Sequence, residues 1–335
     1  MRKIGLSIII PLYNAKDWIV PTINCLVDSL ELADFDAEII VIDDGSKDGS
    51  AEMTQTARIP NNVTFKLIKQ ANTGRYLARK RGVDASSKQN ILFVDSRVFV
   101  DKGSLPFLYE KLKDNTDQLW NGHVNIDKKG NIFARFWDAI VCIAWRKYFR
   151  RPRTTNYGIK DFDYYPKGTG FFYVPKKRLL AAMDYFEKTT NDIRNSSDDT
   201  LLIRYMNERQ DIHLSPEFSC LYHGRSSLKG FLKHAYGRGR FFIDGFLRPG
   251  TRFFVPLIAI LALSVFVVVA LVAWPMLTAQ VLVVGALLLV AGLFIGALIL
   301  GVTVADSFAL ALLGVPFSIV YLAGLWRGVS RRLVR

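Results

Sequence analysis

Oxygen-bearing side chains stand directly behind short apolar runs in the first hundred residues. They are Asn14, Asp43, Asp44 and Asp95. In a mostly parallel sheet the ligand lies beyond the carboxyl ends of the strands, so side chains at these positions would meet at one site. Carboxylate oxygens accept hydrogen bonds from N–H and hydroxyl groups and also bind hard divalent cations. The pattern therefore indicates a site for a polar ligand.

A second acidic pair, Asp198 and Asp199, opens a helix predicted to run to Asn207, with Ser197 as its N-cap. A carboxylate within reach of a substrate hydroxyl can act as a general base, which contributes roughly 10²–10⁴ in rate. The alternative is electrostatic, because acids in a first helical turn are stabilised by the helix dipole. Both interpretations stay open on the residues alone.

The elements that must position these side chains alternate between strand and helix. Short runs rich in isoleucine and valine predict buried strands, and segments with 3.6-residue spacing predict helices between them. The predicted strands are Leu6–Leu12, Glu38–Ile42, Val63–Ile68 and Asn90–Val94, and the predicted helices are Asp17–Leu30 and Gly74–Ala85. This order predicts βαβ units and a mostly parallel sheet.

Three sequence motifs resemble the family 2 glycosyltransferases of the GT-A fold. They are Ser-Ile-Ile-Ile-Pro-Leu-Tyr-Asn at 7–14, Ile-Asp-Asp-Gly-Ser-Lys-Asp-Gly-Ser at 42–50, and Asn-Thr-Gly at 72–74 followed by Ala78-Arg79. The resemblance covers roughly residues 5 to 225. It implies a Rossmann-like α/β domain over residues 1–226 that binds a nucleotide sugar and transfers the sugar with inversion at the anomeric carbon.

The resemblance also implies residue roles. Donor-binding roles fall on Pro11, Tyr13, Asn14, Asp43, Asp44, Gly74, Arg79, Asp95 and Arg97. The acceptor side falls on Gly168, Thr169 and Gly170, the general base on Asp199 with Asp198 as the close alternative, and a metal site on Asp95 and His223. Plain structural alternatives remain: an Asp-Gly turn for 43–45, an ordinary strand entry for 168–170, a solvated helix charge for Arg79 and a structural role for His223.

One position departs from the family pattern. Asp95-Ser96-Arg97 stands where the family has an Asp-x-Asp pair whose second acid holds a divalent metal on the diphosphate. In one account Asp95 and another ligand still hold Mg²⁺ or Mn²⁺, since these ions prefer oxygen ligands. In the other, Arg97 itself offsets charge on the leaving diphosphate. We favour retained metal.

The C-terminal third predicts a membrane anchor over residues 253–326. No charged residue occurs from Phe253 to Ala305, and three segments near the roughly 20 residues needed to span a bilayer are Phe253–Trp274, Leu277–Val302 and Phe308–Trp326. A basic, amphipathic interfacial segment (227–252) precedes the anchor and a basic tail (327–335) follows it. The positive-inside rule keeps both flanks cytoplasmic and requires an even number of crossings, so the count of two or three stays open. Gly292 and Gly296 have a spacing that suits close helix packing.

Composition narrows the function classes. The net charge of +14 suits an anionic membrane surface and phosphate-bearing substrates, and no nucleic-acid motif occurs. Three dispersed cysteines predict no disulfide framework. We expect a multi-pass membrane enzyme whose catalytic domain faces the cytoplasm and whose acceptor is membrane-associated, as in a polyprenyl-linked glycan. A processive synthase is disfavoured because its Gln-x-x-Arg-Trp pattern is missing, and a degenerate, non-catalytic domain is suggested only by Arg97.

Overall fold

The computed structural model describes residues 3–190, 193 and 198–333. The chain forms two compact units. The first comprises the residues up to Ile126 together with Arg151–His223, and the second comprises Asp127–Arg150 and the residues from Gly224 onward. The domain boundary therefore differs from the one predicted at residue 226, because segment 127–150 belongs with the C-terminal helices.

The first unit holds every strand that the structure describes. The strands are β1 (Ile4–Leu12), β2 (Phe35–Asp44), β3 (Thr64–Gln70), β4 (Asn90–Val94), β5 (Val98–Val100), β6 (Leu119–Ile126), β7 (Thr155–Tyr157), β8 (Phe171–Pro175) and β9 (Ile212–Tyr222). Its helices are α1 (Lys16–Leu30), α2 (Ser50–Met53), α3 (Arg75–Ala85), α4 (Ser104–Leu112), α7 (Lys176–Thr189) and α8 (Asp198–Asn207), with 3₁₀ turns at Thr54–Thr56 and Ile159–Tyr164. The second unit contains α5 (Ile132–Ala144), α6 (Arg146–Phe149), α9 (Leu228–Phe246), α10 (Phe254–Ala273), α11 (Pro275–Ile299) and α12 (Val304–Leu333).

The strands form one mixed sheet in the order β3-β2-β1-β4-β8-β6-β9-β5, with β7 added beside β9. Strands β1 to β4 pair in parallel, whereas β8 runs antiparallel to β4 and β6. The carboxyl ends of β1, β2 and β4 therefore lie at one edge, as the sequence predicts. The α/β expectation is confirmed.

Both faces of the parallel part are covered, which explains why β1 is apolar without alternation. One core packs β1 against α1 and α4, and a second core on the other face packs α3, α7 and α8. Gly82 of α3 lies so close to β1 that an added Cβ would stand 2.4 Å from Cγ2 of Ile9. This close approach holds α3 against the strand whose end carries Asn14.

A buried carboxylate fastens the opposite end of the sheet. Glu38 is 1% exposed and accepts hydrogen bonds from Ser7 Oγ at 2.6 Å, Lys66 Nζ at 2.8 Å and the Ser87 backbone N–H at 2.6 Å. Burial would raise the pKa of Glu38, but the bonds from Lys66, Ser7 and Ser87 lower it to about 2. One side chain thus joins β1, β3 and the turn before β4.

In the second unit, α9 crosses α12 with their backbones nearly in contact. An added Cβ on Gly239 would stand 2.3 Å from the Tyr321 carbonyl oxygen, and one on Gly324 would stand 2.3 Å from the Tyr236 carbonyl oxygen. The predicted close packing at Gly292 and Gly296 is wrong within the described residues, because an added Cβ there would meet no atom within 4 Å. The small residues that permit helix contact lie instead on α9 and α12.

Helix α5 completes the second unit. Its buried face, with Phe136 fully enclosed, packs with Phe231 of α9 and Phe317 of α12. The same helix brings charge to the start of α12, where Asp306 is 2% exposed and accepts hydrogen bonds from Lys128 Nζ at 2.9 Å and Arg135 at 3.0 Å. Segment 127–150 is therefore part of the core of the helical unit, and ion pairs to Asp306 border this core.

The low pKa of Glu38 makes stability depend on pH. A lowered pKa adds stability above about pH 4.5 that is lost as the pH falls toward 2, and the shift corresponds to about 3 kcal/mol at neutral pH. We expect Glu38→Gln to lower the melting temperature of the detergent-solubilised chain at pH 7, and we expect this gap to the wild type to narrow below about pH 4.5 and to close as the pH approaches 2. Glu110→Gln, at an exposed salt bridge with Lys113, is the matched control. A constant gap between Glu38→Gln and wild type from pH 7 to 3 would contradict this account.

Candidate active site

The loops after β1 and β2 are joined by reciprocal hydrogen bonds. Asn14, in the left-handed region at φ 47°, donates its backbone N–H to Ser46 Oγ at 3.0 Å and accepts from the Lys47 N–H at 2.9 Å. Asparagine tolerates this conformation better than most residues. Asp48 accepts from the backbone N–H of Lys16 at 3.1 Å and Ser50 accepts from that of Ala15 at 2.8 Å, which caps the start of α1.

The pKa of Asp48 reflects this capping. Burial would raise the pKa, but hydrogen bonds from Ser50 and from the backbone N–H groups of Lys16 and Ser50 lower it overall. Pro11 pairs with Ile42 in the β1–β2 register, and Tyr13, 51% exposed, follows at the mouth of the loop. The first motif therefore builds one wall of a site at the edge of the sheet.

Asp43 and Asp44 divide into two roles, although both are 4% exposed. Asp44 uses both oxygens: Oδ1 accepts from the Thr73 N–H at 2.8 Å and Gln70 Nε2 at 2.9 Å, and Oδ2 accepts from the Gly74 N–H at 2.9 Å. Asp44 thus organises the loop that enters α3. Asp43 accepts from the Ser46 N–H at 3.1 Å through Oδ1.

Gly74 is required by the backbone at the start of α3. Its φ of 100° lies in the region that side chains disfavour, and its N–H points at Asp44. The Asn-Thr-Gly motif therefore has a structural cause in addition to the predicted donor contact.

Arg79 joins two acids that are 104 residues apart in the sequence. Its Nη2 lies 2.9 Å from Asp95 Oδ1, and its Nη1 lies 3.1 Å from Asp199 Oδ1. The Arg79 side chain is 4% exposed, whereas those of Asp95 and Asp199 are 38% and 25% exposed. The solvated alternative for Arg79 is wrong, because the guanidinium lies beneath the two carboxylates and leaves them facing solvent.

The loop before β8 closes the same cluster. The Thr169 hydroxyl donates to Asp199 Oδ1, and the Gly170 carbonyl accepts the Asp95 backbone N–H at 2.8 Å. An added Cβ on Gly170 would stand 3.1 Å from Asp95 Oδ2, so glycine leaves room for that carboxylate. Gly168 donates its N–H to Asn121 Oδ1 at 3.1 Å and lies in open space. The 168–170 loop therefore contacts both Asp95 and Asp199.

Arg97 lies on an aromatic platform. Its guanidinium carbon is 5.1 Å from the ring centroid of Trp18, close enough for a cation–π interaction. The His223 ring stacks on Trp18 at 4.8 Å and makes a tilted contact with Phe99 at 4.1 Å. The His223 backbone N–H donates to the Arg97 carbonyl at 3.0 Å. His223 thus supports the strand pair β5–β9 next to Arg97.

Among the described residues, no three His, Cys, Asp or Glu side chains are grouped to hold a metal ion. The Nε2 atom of His223 is buried, and its ring contacts those of Trp18 and Phe99, although the residue as a whole is half-buried. Of the two carboxylates on Arg79, that of Asp95 is the more exposed to solvent. Mg²⁺ is commonly held by one or two carboxylates together with substrate phosphates, so Asp95 fits a metal that arrives with a diphosphate.

The structure brings most predicted site residues together. Arg79, Asp95, Thr169, Gly170 and Asp199 are linked by direct contacts, Gly74 contacts Asp44, and Asn14 and Asp43 are linked through Ser46. Asp198 lies in α8, but its side chain falls outside the described residues, as does all of Ser197. Sequence reasoning missed Trp18, for which the only signal was its position in the first turn after Asn14.

Comparison with known proteins agrees with this geometry. The family model described as glycosyl transferase family 2 matches residues 7–179, just over half of the chain. An uncharacterised glycosyltransferase, YibD of Escherichia coli, is 37% identical over 107 residues, which are 32% of this chain and 29% of that protein. The cholesterol galactosyltransferase of Borreliella burgdorferi is 31% identical over 120 residues, covering 35% of this chain and 32% of the relative. The matched part thus spans about a third of these relatives.

A solved structure extends the likeness to the whole fold. The mannosyltransferase PcManGT of Pyrobaculum calidifontis, determined with GDP-Man and Mn²⁺, aligns with a TM-score of 0.56 at 14% identity. The alignment covers 94% of this chain and 88% of that one. At this identity the likeness concerns the fold, which is of the GT-A type. The family match, the motifs and the clustered acids lead to one conclusion: this chain is a glycosyltransferase and belongs to glycosyl transferase family 2.

Proposed function

We propose that the chain transfers one sugar from a nucleotide-sugar donor to a membrane-associated acceptor, with inversion at the anomeric carbon. The observation that carries the proposal is the pairing of Asp95 and Asp199 on one buried guanidinium, Arg79. This pairing holds two carboxylates from separate elements at fixed positions beside each other. An in-line transfer needs such an arrangement, with leaving-group contacts and a base around one reacting carbon.

The donor nucleoside fits the wall formed by Tyr13, Asn14 and Asp43. Asp43 supplies a carboxylate oxygen for donor N–H or hydroxyl groups, while Asp44 is occupied with the backbone of the 70–74 loop. The diphosphate then extends toward Asp95 and Arg97. We assign Pro11 and Gly74 backbone-shaping roles in this donor site.

In the transfer step, the acceptor hydroxyl oxygen bonds to the anomeric carbon while the bond from that carbon to the diphosphate oxygen breaks. The nucleoside diphosphate leaves with the electron pair, and Asp199 accepts the hydroxyl proton. Thr169 and Arg79 fix the Asp199 carboxylate for this role. The neighbouring Gly168 and Gly170 line the acceptor side.

A divalent metal fits this site with Asp95 as its first protein ligand and His223 as the second. Mg²⁺ or Mn²⁺ would offset negative charge on the departing diphosphate. The presence of Mn²⁺ and GDP-Man in the PcManGT structure supports this choice. His223, half-buried beside Trp18 and Phe99, is kept as the proposed second protein ligand, because ring contacts leave the nitrogens in the ring plane. In the alternative account, Arg97 on the Trp18 ring contacts the diphosphate directly.

The anchor supports a lipid-linked acceptor, such as a polyprenyl-linked glycan. Helices α10, α11 and α12 are long and apolar enough to cross a membrane. An acceptor confined to the same membrane meets an anchored enzyme at high effective concentration. The relative named as a cholesterol galactosyltransferase acts, by its name, on a membrane lipid.

We further propose that only α10 and α11 cross the bilayer and that the catalytic unit and the C-terminus face the cytoplasm. In the most apolar stretch of each helix, 11% of the residues of α10 and 6% of those of α11 are buried. In α12 the buried share is 39%. Helix α12 packs closely against α9, which carries the basic side chains Lys229, Lys233, Arg238 and Arg240. A basic side chain at the bilayer centre costs about 3 kcal/mol or more, so this pair suits the membrane interface. Two crossings also satisfy the positive-inside rule.

The transferase activity is tested with purified full-length chain, a panel of nucleotide sugars and lipid extracts. The donor should raise the melting temperature, and this rise should shrink on chelation of divalent metal.

Asp199→Asn should keep the donor-induced rise but lower transfer about 100-fold or more. Asp184→Asn, exposed on α7, is the matched control. Full transfer by Asp199→Asn would refute the assigned base, and loss in Asp198→Asn alone would move the role to its neighbour. An undiminished rise in EDTA would favour Arg97 over a metal.

Arg79→Lys tests the bridge between the acids. Lysine keeps the charge but presents one nitrogen, so it cannot replace a fork that reaches two carboxylates at 2.9 and 3.1 Å. We expect kcat/KM for transfer to fall roughly 10- to 100-fold, corresponding to about 1.4–2.7 kcal/mol. Arg81→Lys makes the same change at an exposed position of α3 and should leave kcat/KM unchanged. Equal kinetics for the two variants would show that the bridge has no catalytic importance.

Reporter fusions test the two-crossing topology. A fluorescent protein fused after Arg335 should fluoresce in the cytoplasm, and a phosphatase fused there should be inactive. Fusions to a chain ending after Ala273, with one crossing, should show the reverse. An active phosphatase after Arg335 would mean that α12 crosses the bilayer as well.

A further inference from the structure

The turn that follows β4 rests against one face of α1. Trp18 and Thr22 lie one helical turn apart and therefore on the same side of this helix. Thr22 is fully buried and donates its hydroxyl to the Ser96 carbonyl at 3.1 Å. The ring centroid of Trp18 lies 5.1 Å from the guanidinium carbon of Arg97. Helix α1 therefore contacts two consecutive residues of the 95–97 turn, one through the backbone and one through the side chain.

Trp18 also reaches the backbone of Arg97 through a neighbour. The Trp18 ring stacks on His223 at 4.8 Å, and the His223 N–H donates to the Arg97 carbonyl at 3.0 Å. Replacing the indole by a smaller side chain would therefore loosen Arg97 at its guanidinium directly and at its backbone through His223. The proposed function gives Trp18 no role of its own, although it is the residue on which these contacts meet.

The contact between Trp18 and Arg97 differs in kind from the ion pairs of Arg79. Two carboxylates offset the charge of Arg79, whereas an aromatic face attracts a guanidinium without neutralising it. Trp18 and Arg97 are both half-buried, and partial removal from water strengthens such an attraction. A guanidinium also pairs well with phosphate oxygens through its planar fork of N–H groups. The ring contact thus positions Arg97 and leaves its charge in place for an anionic ligand.

We propose that Trp18 is a positioning residue, which orients the Arg97 guanidinium for the second phosphate of a nucleoside diphosphate, and that Thr22 fixes the 95–97 turn for the same purpose. The inference rests on the proposed donor site, in which the diphosphate extends toward Asp95 and Arg97. A diphosphate has oxygens enough for a metal on Asp95 and for Arg97, so this role does not depend on the metal. Because a nucleoside monophosphate lacks the second phosphate, the difference in affinity between the two nucleotides reports on Trp18.

Calorimetric titration of the purified full-length chain with UDP, GDP, UMP and GMP in the presence of MnCl₂ tests the proposal. Trp18→Leu should weaken binding of the preferred diphosphate about 5-fold or more and change binding of the matching monophosphate less than about 2-fold. Trp18→Phe keeps an aromatic face and should recover most of the lost affinity. Phe107→Leu is the matched control, because Phe107 is a half-buried ring of α4 that carries Lys111 at 5.2 Å. It should leave both affinities unchanged.

Two further variants show whether Trp18 acts through Arg97. In an Arg97→Gln background, Trp18→Leu should weaken diphosphate binding little further, since the group that the ring positions is already gone. Thr22→Val keeps the ring and the side-chain shape but removes the bond to Ser96, and it should weaken diphosphate binding about 2-fold or more.

Three results would overturn the proposal. They are equal losses for diphosphate and monophosphate, diphosphate binding unaltered by both Trp18→Leu and Thr22→Val, and a full effect of Trp18→Leu in the Arg97→Gln background. A wild-type chain that binds neither UDP nor GDP would overturn the proposed donor site itself, and this inference with it.

Discussion

The salt bridge from Arg79 to Asp95 and Asp199 is the constraint on which the site depends. Two carboxylates this close repel each other unless a cation lies between them, and a buried cation is costly unless it is paired. Arg79 meets both needs because α3 packs tightly on β1 at Gly82, which sets the guanidinium under the sheet edge. The Arg79 side chain therefore depends on the packing of α3 for its position and in turn fixes the positions of Asp95 and Asp199.

The hydrogen bonds of Asp44 connect the end of β2 to the helix that carries Arg79. Asp44 fixes the 70–74 loop, this loop starts α3, and α3 carries Arg79. A disturbance at the end of β2 would thus reach the two acids through one short helix. Asp44 is therefore committed to the 70–74 loop, whereas Asp43, which is equally buried, bonds to the turn at Ser46.

Much of the first unit could be predicted from the sequence because its signals are local. The apolar runs of β1 and β4 and the Asp-Asp-Gly turn indicate a parallel sheet with polar ends, and the structure has this arrangement. The burial of Arg79 could not be predicted, since a basic residue on a polar helix is normally expected to face solvent. Its burial depends on the Asp199 side chain, which is distant in sequence. Trp18 was missed because its partners, Arg97 and His223, are likewise distant from it in the sequence.

The helical unit was harder to predict. Residues 127–150 are separated from α9 by most of the remaining first unit, so their common core has no local sequence signal. The close crossing at Gly239 and Gly324 depends on which helices meet, whereas glycine spacing alone pointed to Gly292 and Gly296. Hydropathy likewise identifies α12 as apolar without indicating that α5 and α9 cover part of it.

A double-mutant cycle between Arg79→Met and Asp199→Asn measures the central interaction most directly. The free energy of unfolding would be obtained for the wild type, both single variants and the double variant by denaturant titration of the full-length chain in detergent. If the bridge is present, Arg79→Met leaves two carboxylates unscreened and Asp199→Asn relieves that repulsion, so the cycle gives a coupling of about 1 kcal/mol or more. Additivity within about 0.3 kcal/mol would mean that Arg79 does not hold these acids together.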